Sequence, residues 1–367
     1  MQVDDAGWRS FEDRHARGRM GLGRPALRRG PMSGKRSFLK TLPGIAVSCF
    51  FLWFTFHGIS YRALTGLRLV SPMWLLGVAG FLLAGYTLRA HRWWKMLQYS
   101  SRSSFGVCAR VLMTSFAANN ILPFRIGDIM RVFTYAGDLG ASTSVVMGTV
   151  VLERMLDIFT LLLIFVATMG HSSQMFSARG RLIAFAIFGA VSAALLVLML
   201  GARLLEPLLK RVFARLPQGP KVVKLEQWLL IGLDGVRNIG VAGTLWLMAE
   251  SIVIWACEGM IFLSVMRMIG IGASSIAAVQ ALVFSNLSYL IPSSPGAVGT
   301  FETAATIALT GHGVPKATSA IYAVLVHVII LGSVTAVGGA FFLAHRYHVS
   351  TRKSLRQEIS TLPQEIV

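Results

Sequence analysis

The sequence predicts an all-α membrane protein, a polytopic bundle of about six full spans with two broken helical hairpins set among them. Three observations predict it. Hydrophobic residues make up 54% of the chain and charged residues 14%, with a mean hydropathy of +0.63, whereas a soluble domain carries about 25% charged residues. The apolar residues gather in runs of about twenty, the length that crosses roughly 30 Å of hydrocarbon. The basic residues behind the formal charge of +19 lie in short segments flanking those runs and at the two ends.

Residues 1–37 are polar, rich in Arg, Gly and Pro, and lack apolar periodicity, so we read them as a disordered, basic, cytoplasmic segment. The apolar run behind them is too long for a signal peptide and lacks a small-residue cleavage motif, which makes it a first span. Met32 opens MSGKRSFLK directly before that span and is a second candidate start of translation. The spans are Phe38–His57, Pro72–Ala90, Ser144–Met169, Leu182–Gly201, Gly243–Met266 and Thr318–Ala344, within a membrane domain of residues 38–345. Regions 105–136 and 274–311 are helical but interrupted, as broken or re-entrant hairpins are. The linker 202–240 sets Arg203, Lys210, Arg211, Arg215, Lys221 and Lys224 among Leu, Val and Trp228, the pattern of an amphipathic helix on the inner leaflet. The tail 346–367 is polar, short and expected to be mobile.

With the N-terminus inside, segments 1–40, 89–110, 202–240 and 346–367 hold 26 Lys or Arg, against six on the other side: Arg62, Arg68, Arg179, Arg181, Arg267 and Lys316. That bias predicts both termini on the cytoplasmic face. The same topology opens the two hairpins to opposite faces and suggests an inverted repeat. It rests on two short matches, Asn119, Pro123, Gly127 in one hairpin and Asn286, Pro292, Gly296 in the other.

Several function classes fall away. The charge invites a nucleic-acid reading, but its spread through flanking loops favours anionic headgroups, so no nucleic-acid partner is expected. Cys49, Cys108 and Cys257 stand singly, without disulfide or metal spacing, and read as packing residues. Walker A, G-x-G-x-x-G, H-E-x-x-H and G-x-S-x-G patterns are absent, as is any soluble stretch long enough for a catalytic domain. No cofactor is expected, and any activity must live in the membrane.

Three stretches bring polar chemistry into the apolar chain. The first, Phe116–Asp138, carries Asn119, Asn120, Pro123, Arg125, Gly127, Asp128 and Arg131. Non-helical backbone survives at membrane depth only where protein buries it or where it lines a water-filled cavity, so we read a functional cavity. An interfacial loop with Arg125 and Arg131 snorkelling to headgroups is the plainer alternative. The second is Glu153-Arg154-Met155-Leu156-Asp157, with Glu153 and Asp157 on one helix face. It reads either as a headgroup site or charge relay, or as an ion-pair clamp on Arg125 and Arg131. The third, Tyr289–Glu302, offers Ser293, Ser294 and Gly296 beside two helix-breaking prolines, Pro292 and Pro295. A helix starting near Ala297 would point its amides at an anion such as phosphate, with Glu302 capping that helix or pairing with Arg125 or Arg131; an ordinary turn is the alternative. Glu250 and Glu258 fall on one face of their span and read as a cation or proton site or as interior hydrogen-bonding groups, while His327 reads as a packed, hydrogen-bonded residue.

Taken together, N-N-x-L-P-x-R-x-G-D-x-x-R at Asn119–Arg131, E-R-x-x-D at Glu153–Asp157 and P-x-x-P-G-x-x-G-x-x-E at Pro292–Glu302 resemble the transmembrane domain of the lysylphosphatidylglycerol synthase/flippase family, over residues 38–345. The resemblance implies re-entrant helices around a central cavity and the binding and flipping of a lipid or lipid-linked substrate among membrane phospholipids. The soluble aminoacyl-transferase part of two-domain members has no counterpart here, which argues against synthase activity. By motif position the cavity charges would be Arg125, Asp128, Arg131, Glu153, Arg154, Asp157 and Glu302. On this expectation Arg125 and Arg131 grip a lipid phosphate, and Glu153, Asp157 and Glu302 hold those arginines when the site is empty. An intramembrane glycosyl- or acyl-transferase using Asp128, Glu153 or Asp157 as base is the competing reading, and an assembly subunit a third.

Overall fold

The computed structural model describes residues 34–59, 69–170, 177–200, 202–217 and 219–361, and every regular element among them is helical. Nearly all of the basic N-terminal segment, including Met32, lies outside the described residues, as do Arg62, Arg68 and the tail after Thr361. The chain divides after Lys40; of the first part only the helical stretch from Gly34 is described, and everything below concerns Thr41 onward.

The helices are α1 (Gly34–Phe56), α2 (Trp74–Gln98), α3 (Phe105–Ile121), α4 (Ile126–Phe133), α5 (Thr143–Met169), α6 (Ala178–Leu200), α7 (Ala202–Ala214), α8 (Pro220–Met268), α9 (Ser275–Leu287), α10 (Thr300–Thr310) and α11 (Lys316–Thr361). Serine caps start three of them. Ser104, Ser142 and Ser274 accept from the amides of Val107, Val145 and Ile276, satisfying donors that a helix start leaves unpaired. Gly240, at φ 67°, breaks α8 into a linker arm and an apolar span. Among the described residues, the stretches Arg237–Met268 and Lys316–Tyr347 are long and apolar enough to cross a membrane.

Two predicted boundaries move outward. α2 runs to Gln98 instead of ending at Ala90, because neither Gly nor Pro interrupts HRWWKMLQ and because Trp93, Met96 and Leu97 are buried. α11 runs to Thr361, well into the segment expected to be a mobile tail.

The two interrupted regions are hairpins, each between two long helices. α3 and α4 lie between α2 and α5; α9 and α10 lie between α8 and α11. Contacts follow the same order: α2 packs on α8, α3 on α11, and α9 on α5. The core is apolar around Trp93, Leu112 and Leu152 on one side and Phe262, Leu282 and Tyr322 on the other. Between apolar helices in lipid, burial supplies little driving force, and close backbone approach matters more. A Cβ on Gly127 would collide with the Ser115 carbonyl and Asn119 Oδ1, so α4 lies against α3 only because that position has no side chain. Gly338 does the same for α11 against the Met113 carbonyl of α3.

Gly127→Ala should therefore lower stability by about 1–3 kcal/mol through overpacking. Gly106→Ala, at an open position of α3 with nothing within 4 Å, should leave it unchanged or slightly raised. Thermal unfolding of the two variants in detergent checks the contrast.

Candidate functional site

The first hairpin breaks for local reasons. Pro123 disfavours helical backbone at the residue before it, and Leu122 is extended at φ −102°, ψ 143°. A short 3-10 turn, Pro123–Arg125, follows, and Arg125 takes the left-handed conformation at φ 52° before α4 begins. That conformation costs a non-glycine residue about 1–2 kcal/mol. Such strain persists only where the surroundings over-determine it. The Arg125 side chain is exposed, and it has no ion-pair or hydrogen-bond partner among the described residues. Arg154, Asp128, Asp157 and Tyr289 lie within its electrostatic reach.

Behind that tip the charges form a chain of pairs. Arg131, with 0% side-chain exposure, donates from Nη1 to Glu153 Oε2 (2.7 Å) and from Nη2 to Asp128 Oδ1 (3.0 Å). Its guanidinium stacks over Trp93, 4.8 Å from the ring centre, adding a cation–π contact. Asn119 holds Asp128 twice, donating from Nδ2 to Oδ1 (3.1 Å) and accepting the Asp128 amide at Oδ1 (3.2 Å). Arg154 Nη2 donates to Glu153 Oε1 (3.1 Å), and its other nitrogens lie 3.8 Å from Asp128 Oδ2 and 3.6 Å from Asp157 Oδ2. Arg92 donates to Asp157 Oδ1 (2.8 Å) and Ser251 Oγ (2.6 Å). One polar seam thus joins α2, α3, α4, α5 and α8. Beside it Arg89 pairs with Glu258, and His91 Nδ1 lies 2.6 Å from Glu250 Oε1.

The second hairpin is organised differently. Gly296 and Ala297 both have positive φ, at 71° and 56°. α10 begins at Thr300, and Glu302 Oε2 accepts the Gly299 amide (2.6 Å) while Oε1 lies 2.7 Å from His327 Nδ1. His327 stacks on Phe301 with ring centres 4.1 Å apart. The Ser294 amide donates to Ser48 Oγ on α1 (3.0 Å), and Ser293 Oγ faces Thr300 Oγ1 at 3.3 Å.

The two hairpin tips meet. Asn120 Nδ2 donates to Thr335 Oγ1 (3.0 Å) and to the Leu331 carbonyl (3.4 Å) of α11. A Cβ on Gly296 would stand 2.6 Å from Leu331 Cδ1 and 3.4 Å from the Asn120 carbonyl. A side chain there would push the tips apart.

Of the residues singled out in the sequence, Asn119, Asp128, Arg131, Glu153, Arg154 and Asp157 fall into one network, and Asn120 and Gly296 meet at the tips. Ser293, Ser294 and Glu302 lie apart from that network in the second hairpin, where they meet Thr300, Ser48 and His327 respectively. Three expectations need correction. Arg131 is enclosed by two carboxylates and is not available to grip a phosphate. Glu302 fills one of the two roles expected of it by capping α10, with His327 on its other oxygen, and the other role fails, since it pairs with neither Arg125 nor Arg131. The helix expected to start near Ala297 starts at Thr300, and the Glu302 carboxylate answers the Gly299 amide before it. Glu250 and Glu258 prove to be interior partners of His91 and Arg89. Sequence reasoning missed Arg89 and Arg92, counting them as cytoplasmic loop charges. Their i, i+3 spacing directly before Trp93 and Trp94, with no helix breaker until well beyond, is the signal that finds them. Without them the inner tally of basic residues is 24 against six.

The family model described as the lysylphosphatidylglycerol synthase TM region matches residues 42–338. No curated protein and no solved structure matches the chain.

The network separates two arginines by role. Arg131→Ala takes the fully buried arginine away from Asp128 and Glu153 and should cost about 3–5 kcal/mol of stability, as breaking a buried pair does. Arg125→Ala removes an exposed, unpaired side chain and should leave the thermal midpoint nearly unchanged. Parallel melting curves in detergent check this, and equal losses would show Arg125 to be part of the structural seam.

Proposed function

Because the chain belongs to the lysylphosphatidylglycerol synthase TM-region family, we propose that this membrane protein binds the phosphate of a lipid or lipid-linked substrate at Arg125 and carries the headgroup across the cytoplasmic membrane. The observation that carries the reading is Arg125 itself: exposed, without a partner among the described residues, and at the tip where the two hairpins meet. An unpaired arginine at membrane depth costs several kcal/mol. A phosphate removes that cost, since a planar guanidinium meets two of its oxygens at once. Arg154, with 27% side-chain exposure, is the second cation facing that position.

In this reading the chain is multi-pass with both termini cytoplasmic, in keeping with its bias of basic residues. The hairpins re-enter from opposite faces, and separation of their tips opens Arg125 to one leaflet and then the other. The seam of paired charges behind the tip keeps α4 and its loop in place through that motion. The transferase reading gains no support, because Asp128, Glu153 and Asp157 each already accept from an arginine.

The test is the movement of a fluorescently labelled phospholipid in proteoliposomes, followed by quenching of the outer leaflet. Arg125→Ala should slow movement at least tenfold, while Arg102→Ala, an exposed position outside the site, should match the native rate. Native-rate movement by the Arg125 variant would overturn the proposal.

A further inference from the structure

An ionisable side chain at membrane depth marks a functional position by default. His327 sits well inside the apolar stretch Lys316–Tyr347 and is 3% exposed. Its Nδ1 lies 2.7 Å from Glu302 Oε1, a separation at which a proton must lie between the two atoms. Its Nε2 is buried and has no hydrogen-bond partner among the described residues. Each state of that nitrogen leaves something unsatisfied. Bare, it leaves the pair with a net negative charge; protonated, it completes a neutral imidazolium–carboxylate pair but holds a donor without an acceptor. Phe301, stacked on the ring at 4.1 Å, favours the cation through its face. Opposed terms of this kind let a proton bind and leave.

The pair stands directly behind the junction of the tips. On α11, His327 is one turn from Leu331, the side chain that meets Gly296. In the second hairpin, Glu302 Oε2 holds the amide of Gly299 (2.6 Å), in the same turn as Gly296. We infer that His327 Nε2 is a proton-binding site whose occupancy sets how firmly Glu302 holds the second tip against α11, so that lipid movement is coupled to a proton gradient. The site stands on the geometry, and the coupling rests on the lipid-movement reading above. With the proton bound, the bond between His327 and Glu302 is fully charge-assisted and anchors the tip; with the proton released, that anchor weakens. Only the N–H bond forms and breaks, the proton arriving from water on one side and leaving to water on the other. Thr306, one turn beyond Glu302 on α10, has a buried hydroxyl without a partner among the described residues, able to accept and to donate.

The other ionisable groups around the pair have their own places. Tyr289 packs on Phe301 (6.2 Å) and lies within electrostatic reach of Glu302 and of Glu258, which is paired with Arg89 on the α2–α8 side. On α11, the Tyr322 hydroxyl donates to the Phe262 carbonyl (2.8 Å), and Lys316 donates to the Phe54 and His57 carbonyls. α9 has no ionisable side chain. α1 meets α10 through Thr55 Oγ1, 2.6 Å from Thr303 Oγ1, and its Cys49 is exposed.

The test sets a difference of about 1 pH unit, in either direction, across vesicles holding the labelled phospholipid, with potassium and valinomycin keeping the voltage at zero; one proton per lipid is then worth about tenfold. Relative to protein-free vesicles, the native protein should leave the label at least about threefold richer in one leaflet, and reversing the gradient should exchange the leaflets. His327→Gln, which keeps a donor for Glu302 and does not titrate, should move the label yet leave it evenly spread. Even spread by an active native protein under both gradients would overturn the coupling and leave the lipid reading standing. A gradient response retained by His327→Gln would overturn the assignment to this site. No movement of label by the native protein would sink the coupling together with the reading beneath it. A second measurement does not depend on the variant folding: in imidazole nitrogen NMR spectra of the native protein, the assigned His327 ring should pass between Nε2-bare and Nε2-protonated forms between about pH 5 and 9. A ring that keeps one form throughout would overturn the proton site.

Discussion

A charge taken out of water must find its opposite, and most of this bundle is arranged around that requirement. Arg131 is fully enclosed, so its neighbours have to include Glu153 and Asp128; Glu153 then needs Arg154, and Asp157 needs Arg92. Two of these pairs join helices, Arg131–Glu153 tying α4 to α5 and Arg92–Asp157 tying α2 to α5. The seam that results fixes α4, a helix of eight residues too short to hold its position by length alone. It does so in a chain whose helices otherwise meet through apolar contacts that lipid satisfies nearly as well.

Within that frame, local sequence grammar decides where the chain turns. Proline ends α3, and a glycine lets α4 fold back onto it within van der Waals distance of the Ser115 carbonyl. The second hairpin uses a different device of the same kind, a carboxylate that caps α10 from inside while a histidine holds its other oxygen. The two hairpins thus share an order of elements and differ in chemistry. One carries the excess charge, and the other closes upon itself.

Much of this was legible in the sequence. Apolar run length placed the long helices, and Pro, Gly and Asn placed the hairpins, because those signals act within a few residues. The acids of Glu153–Asp157 were legible as a cluster for the same reason. What escaped was anything that depends on which helix neighbours which. Arg89 and Arg92 look like loop charges from their position after an apolar run, and only the packing of α2 on α8 brings them to Glu258, Ser251 and Asp157. The cap that Glu302 places on α10 was legible from its position just inside that helix; its other partner, His327, lies on the next helix and was not. Arg131 had looked like the binding residue because an arginine in an apolar stretch demands an anion, and the sequence does not say whether that anion is resident or arriving.

The contact between the tips has a thermodynamic corollary. Asn120, Gly296 and Leu331 belong to one junction, so parting the hairpins would loosen the contacts of both at once. Any molecule that favours the parted state from the first hairpin lowers, by the same free energy, the work left for a molecule acting from the second. Linkage makes that help mutual, with one coupling constant read from either end.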